Sequence, residues 1–291
     1  DALPIWEMLM DRSIYETGSI EPYPEQFDTR WIEGSTGFFA APTTLAEQFL
    51  INEWHDPDHI LVTGNTVVDA VRHSQEKVHT SQAFELYPNM KWKKFIFVTV
   101  HRRENTENRE RFLAIFYALK KLLRDGIPVC FLKLYASEWA IDQYGLRSEL
   151  DDMIAQYSEI FSYGSAFAHH HEVIDMISYA WAVVTDSGSM QEEANIVWVP
   201  CVTLRFGSDR WETLIAGSNV LAPPVNSRLI IDIVKGSIGN QFMQSRINLY
   251  GENVSEKIVD GVDRLLKKYG KLFLYDDERL ELWKFFHYLI D

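Results

Sequence analysis

The chain has 291 residues, 46% hydrophobic and 24% charged, a composition suited to a globular protein with a sizeable core, and its length predicts two domains. Forty-two acidic residues against 28 basic ones leave a net charge of −14 with no Lys/Arg block, which argues against a nucleic-acid partner. No apolar run approaches the roughly 18 residues of a membrane span, and the opening DALPIWEMLMDR has no basic stretch leading into an apolar core, so a cytoplasmic protein is expected, with no membrane partner.

Residues 1–60 mix Pro, Gly and Glu with aromatics (YETGSIEPYPEQFDTRW) and then turn helical around Leu45–Glu53, too short a stretch for a Rossmann-like domain of its own. From about residue 60, β-rich runs alternate with helical patterns. Strands are predicted at Ile60–Thr63, Phe95–Val100, Val129–Lys133, Ile160–Tyr163, Ala182–Thr185, Cys201–Leu204 and Asn219–Leu221. Helices are predicted at Val67–Val78, Arg109–Leu123, Leu146–Tyr157, Glu172–Tyr179, Met190–Ile196, Glu212–Ile215 and Arg228–Lys235, the second carrying Phe112, Ile115, Phe116, Leu119 and Leu122 at helical spacing. Such alternation with nearly continuous apolar strands predicts an α/β fold, a parallel sheet covered by helices on both faces, as a Rossmann-like domain at roughly 78–265. Residues 1–77 form a separate N-terminal part. The aromatic-rich helix expected at 276–291 packs back on that part or on a partner chain. Cys130 and Cys201 each sit in a strand-like run and are read as core thiols, without disulfide or metal spacing.

In so acidic a chain an anionic ligand must be held locally, at helix N-termini and by a few placed cations. ILVTGNTVVD, at 60–69, is read as an ordinary strand-to-helix joint, with a Gly64 turn and an Asn65/Thr66 cap. FIFVTVHRREN ends a strand at His101, Arg102 and Arg103, where forked guanidinium donors and an imidazole suit a diphosphate; the plainer reading is a loop capping the next helix. His169-His170-His171 invites a metal, but successive side chains diverge and no further ligand has suitable spacing, so capping or a polar cleft edge is expected and no metal. WAVVTDSGSMQEE runs from an apolar strand through Asp186-Ser187-Gly188-Ser189 straight into a helix. There, at a strand's carboxyl end, unpaired amides favour a phosphate, Gly188 allows close approach, and Glu193 can accept from a ribose diol. Alternatively Ser187 only caps that helix and the glutamates are solvated. LRFGSDRWETLIAGSN repeats the arrangement, with Ser208 and Asp209 capping a helix near Arg210, and Arg210 and Glu212 facing the same cleft.

Taken together, VTGNTVVDA, VTVHRREN, TDSGSMQEEA and SDRWET resemble, in order and approximate spacing, the UDP-N-acetylglucosamine 2-epimerases, over about residues 22–265. The resemblance implies a glycosyltransferase-B-type architecture in which the C-terminal Rossmann-like domain holds UDP, residues 1–77 are the remnant of an N-terminal one, and 266–291 is a C-terminal helix. It implies interconversion of UDP-GlcNAc and UDP-ManNAc, by UDP elimination and re-addition with proton exchange at C2, within nucleotide-sugar and polysaccharide biosynthesis. His101, Ser187, Gly188 and Glu193 match UDP-contacting positions, and Arg210 lines the same cleft beside Arg102. His101 and Glu25 are the catalytic candidates, Glu25 because Pro22-Tyr23-Pro24-Glu25 is similar to the family's Pro-Glu-Glu stretch. The partner implied is a UDP-sugar substrate, with no cofactor, and the assembly a homodimer.

The chain also departs from that pattern. WEMLMDRSIYETG lacks the family's His-x-Glu-Ala-Gly segment, and neither Glu7 nor Glu16 matches its glutamate. A third family carboxylate lies in about a hundred residues with no counterpart before Asp1, so the chain reads as a piece of a longer protein or a split gene product with impaired turnover. Ser189 replaces the second glycine after the motif serine, Trp211 replaces a proline, and KLYASEW stands where many members carry a Pro-x-His allosteric segment. Two alternatives follow: a catalytically silent sugar-nucleotide-binding module, and a UDP-sugar glycosyltransferase of the same fold.

Overall fold

The computed structural model of the chain describes residue 32 and residues 36–91, 94–243 and 247–269. Glu25, the upstream Glu7 and Glu16, and the helix expected at 276–291 lie outside the described residues. In chain order the elements are β1 (Phe39–Ala41), α1 (Thr44–Asn52), β2 (Ile60–Val62), α2 (Val67–Lys77), α3 (Ala83–Leu86), β3 (Ile96–Thr99), α4 (Arg103–Thr106), α5 (Arg109–Arg124), β4 (Val129–Lys133) and α6 (Tyr135–Gln143). Then come α7 (Arg147–Gln156), β5 (Phe161–Ser165), α8 (His170–Tyr179), β6 (Ala182–Thr185), α9 (Gly188–Ile196), β7 (Cys201–Thr203), α10 (Trp211–Ile215), β8 (Asn219–Leu221), α11 (Ser227–Ser237) and α12 (Val254–Tyr269). No helix among the described residues is long and apolar enough to cross a membrane.

The described chain divides into two units, one of them Val67–Leu249. Its core is a six-stranded sheet in the order β5-β4-β3-β6-β7-β8, every neighbouring pair parallel. This is the α/β sheet the strand–helix alternation predicts. Alternate residues of one strand feed opposite faces, which is why the strands read as unbroken apolar runs. Ile96, Val98, Phe131 and Val184 pack on one face with Phe112, Phe116 and Leu119 of α5 and with Ile230 and Val234 of α11. Phe95, Phe97, Cys130, Val183 and Cys201 pack on the other with Val71 of α2 and with Ile174 and Ile177 of α8. Both cysteines are buried and free, and burial pushes the Cys201 thiol up to about 12. From β3 the chain builds outward through β4 to β5, then returns to β6 on β3's other side and builds outward again. The order therefore reverses between β3 and β6, and at such a reversal the loops past the carboxyl ends part to leave a crevice.

The second unit comprises the described residues of 30–66 and 250–269. β1 and β2 pair in parallel, with Phe39 opposite Ile60, and Thr43 caps α1 by accepting from the Ala46 amide at 3.2 Å. The chain turns at Gly64, whose φ of +95° belongs to the region glycine tolerates. A β-carbon there would collide with the Tyr250 carbonyl, which accepts from the Asn65 amide at 3.0 Å. On α12, Gly261 lets Leu61 and Phe38 approach the helix backbone closely. The sequence predicts neither β1, α6 nor α12, and the first two omissions have a local cause. β1 is three residues without alternation, and α6 buries only Ser137, Ala140 and Ile141, so no apolar stripe marks it.

Candidate functional site

Past the carboxyl ends of β3 and β6 the two loops are tied together by Asp186. Just before it, the Thr99 and Thr185 hydroxyls meet across the strands at 2.6 Å. The Asp186 carboxylate is wholly buried and accepts from the backbone amides of His101 (3.1 and 3.2 Å) and Arg102 (3.0 Å) and from Asn105 Nδ2 (3.0 Å). The His101 ring adds Nδ1, 3.1 Å from Oδ1. Burial by itself would raise the Asp186 pKa, but the His101 ring, the Arg102 amide and the Asn105 amide outweigh it and hold the group below its ordinary value. An ionised carboxylate only accepts, so Nδ1 carries the hydrogen, and Nε2 on the other side of a 40% exposed side chain is left for other chemistry.

β6 passes through Ser187 into α9. The Ser187 amide donates to Thr185 Oγ1 at 2.9 Å, its backbone is extended, and its side chain makes no capping bond. Its hydroxyl lies 3.2 Å from that of Ser189 instead. The first-turn amides of α9 thus have no side-chain acceptor from their N-cap, which is the condition for an anion site at a helix start. The capping role open to Ser187 in the sequence is therefore not the one it adopts. A β-carbon on Gly188 would lie 3.3 Å from Asp209 Oδ2 and 3.6 Å from Arg210 Nη2, so this glycine lets the Asp209–Arg210 loop close on the helix start.

That loop is locked by Gln191, to which the sequence assigned no role. Gln191 is fully buried: its Oε1 accepts from Ser208 Oγ (2.6 Å) and Asn219 Nδ2 (2.9 Å), and its Nε2 donates to the Ser187 carbonyl (3.1 Å). Nothing in the string QEE sets this glutamine apart, because its partners come from three separate segments. Ser208 Oγ then accepts from the Arg210 amide at 2.9 Å, so it shapes the approach to α10, which begins at Trp211 without a side-chain cap. The Arg210 guanidinium rests against Glu192 and reaches Asp209 Oδ2 at 3.2 Å. Burial pushes Glu192 up to about 7 despite the opposing pull of Arg210, with Glu212 and Asp209 adding to the rise.

Glu193, 7% exposed, follows along α9. Its Oε1 lies 3.0 Å from His170 Nε2, and the His170 Nδ1 lies 2.7 Å from Ser74 Oγ on α2. Its neighbours in the triple-histidine run turn elsewhere: the His169 and His171 rings stack at 5.3 Å, and the His169 amide donates to Glu172 in a helix-capping contact of 3.0 Å. Among the described residues no group of three His, Cys, Asp or Glu side chains is arranged to hold a metal ion. Of the two arginines after His101, Arg103 pairs with Glu107 at 2.7 Å, while Arg102 is half-buried with its amide on Asp186. Asp186 thus brings His101 and Arg102 to Ser187, and Gly188 brings Arg210 to the same helix start.

A model of the UDP-N-acetylglucosamine 2-epimerase family matches residues 16–263. The chain is 26% identical over 240 residues to the UDP-N-acetylglucosamine 2-epimerase of Methanococcus maripaludis, covering 81% of this chain and 63% of that protein. It is 26% identical over 253 residues to the Campylobacter jejuni enzyme of the same name, covering 82% and 63%. Among solved structures it is similar to the Methanocaldococcus jannaschii UDP-GlcNAc 2-epimerase in complex with UDP-GlcNAc and UDP, at a TM-score of 0.69 and 26% identity over 80% of this chain and 61% of that one. The Neisseria meningitidis UDP-GlcNAc 2-epimerase bound to UDP-GlcNAc gives a TM-score of 0.71 at 26% identity, over 89% and 68%. The chain spans less than two thirds of the length of these curated relatives.

Proposed function

The chain belongs to the UDP-N-acetylglucosamine 2-epimerase family, and from that premise we propose that it holds the UDP of a UDP-sugar at the start of α9 and serves interconversion of UDP-GlcNAc and UDP-ManNAc. The observation that carries the reading is the 3.1 Å contact of His101 Nδ1 with Asp186 Oδ1, which sets an imidazole beside the uncapped start of α9 at the point where the strand order reverses. In this proposal the Gly188 and Ser189 amides and the Ser187 hydroxyl receive the diphosphate, with Arg102 and Arg210 supplying positive charge around it and His101 Nε2 donating when the ring carries a proton on both nitrogens. Glu193 accepts from the ribose.

The chemistry proposed is elimination followed by re-addition. A carboxylate takes the C2 proton while the C1–O bond breaks, its electron pair leaving on the β-phosphate oxygen of UDP and a C1=C2 double bond forming. Return of a proton to the opposite face of C2 and attack of the same UDP oxygen on C1 give the epimer. Donors preorganised around the departing diphosphate lower the barrier because its charge grows as the bond breaks. Glu25 is our candidate for the C2 acid/base group, and a homodimer our candidate assembly.

A second reading is a UDP-sugar-binding module without turnover, favoured by the absence of a His-x-Glu-Ala-Gly segment in WEMLMDRSIYETG. Titration with UDP and UDP-GlcNAc, combined with proton NMR of C2 exchange in deuterated water, separates the two. Binding with exchange is the expected result. Binding without exchange selects the silent module, and no binding up to millimolar ligand overturns both.

A further inference from the structure

Building on the reading of α9 as the nucleotide-binding helix, we propose that His170 is a positioning residue that presents Glu193 to the ribose diol, held in place by Ser74 at its far side. Three helices meet in this chain of contacts: Ser74 on α2, His170 opening α8 and Glu193 on α9. Ser74 Oγ is 2.7 Å from Nδ1, and Nε2 is 3.0 Å from Glu193 Oε1.

The chemistry of the three groups sets the direction of each bond. A carboxylate accepts and does not donate, so Nε2 must carry the hydrogen toward Glu193. Nδ1 then accepts the Ser74 hydroxyl when the ring is neutral, or donates to the Ser74 oxygen when it is charged. In both states the ring is anchored on one side and donates on the other. The Glu193 contact itself raises the His170 pKa, against the opposing effect of burial. With one lone pair of Oε1 engaged, the carboxylate rotates less about its last torsion, and Oε2 keeps its full accepting capacity. Two vicinal hydroxyls offer two donors, which a carboxylate of fixed orientation can meet together. A freely turning one pays rotamer entropy to do so.

His169 and His171 do not share this role, since their rings stack on each other. His170, the middle residue of the run, is the one whose ring reaches Glu193.

The test is isothermal titration of UDP and of 2′,3′-dideoxy-UDP into the parent chain and into His170→Asn, His170→Gln and Ser74→Ala, with far-UV circular dichroism confirming each fold. A glutamine amide can take the place of Nε2–H, while the asparagine amide is too short. His170→Asn is expected to weaken UDP about tenfold, the effect of losing one charge-assisted hydrogen bond, and to change the dideoxy ligand less than about twofold. His170→Gln is expected to recover most of the loss, and Ser74→Ala to weaken UDP about threefold. Equal losses for both ligands, or no loss of UDP binding in either His170→Asn or Ser74→Ala, would overturn the role of His170 while leaving the nucleotide site standing. A parent chain that binds neither ligand overturns the site itself.

Discussion

His101 and Asp186, 85 positions apart in sequence, are joined both by a backbone amide and by a ring nitrogen, so one carboxylate fixes the loop after β3 and the tautomer of the imidazole on it. Asp186→Asn removes the charge and turns an amide group toward donors. It is expected to cost roughly 3 kcal/mol, the scale of breaking a buried charged network by one partner, and to abolish UDP binding. The folded pKa of Asp186 is depressed, so its contribution is complete above the ordinary value of 3.8 and is lost as pH falls through the lower folded value. Thermal unfolding of parent and variant should therefore differ above about pH 4 and converge in stronger acid. A difference that grows toward low pH would reject this account.

Glu192 runs the other way. Its folded pKa is raised from 4.5 to about 7, so the folded state holds a proton that the unfolded state has released between those values. Stability from this group is full below pH 4.5 and declines as pH rises to about 7, by roughly 3 kcal/mol in total. Glu192→Gln removes the titration and leaves Arg210 its Asp209 contact. The melting temperature of the variant should gain on that of the parent across this window. A constant offset between them would count against the assignment.

Gln191→Ala leaves Ser208 and Asn219 without the acceptor they share and frees the Ser187 carbonyl. Two or three buried groups then lose partners, a cost on the order of 2–4 kcal/mol. UDP binding should fall at the same time, because Ser187 and the Arg210 loop are both hung on this side chain. Calorimetric titration beside a melting curve checks the pair, and loss of stability with full affinity would separate Gln191 from the site.

Gly64→Ala tests the second unit. Both Gly64 and Gly126 have positive φ, and alanine at either carries a backbone strain of about 1–2 kcal/mol. Only at 64 does a β-carbon also meet the Tyr250 carbonyl; at 126 there is open space. Gly64→Ala should be clearly the more destabilising in chemical denaturation, and equal effects would show that the collision relaxes without cost.

Strand and helix positions in the sheet unit were legible because apolar periodicity is a local property: β4, β6 and β8 fall on the predicted residues, and α5, α8 and α11 differ from them at the ends only. So was the sheet edge that carries the candidate site, since Asp186 and His101 each follow an apolar strand. What the string could not carry is which distant groups meet. Asp186 as the acceptor of four donors, Gln191 as the clamp on β8 and the Arg210 loop, and His170 rather than its neighbours reaching Glu193 all depend on elements brought side by side by the sheet order. A residue's backbone preference is written in its own neighbourhood, whereas the partners of a buried polar group are chosen by packing, and only the folded chain decides those.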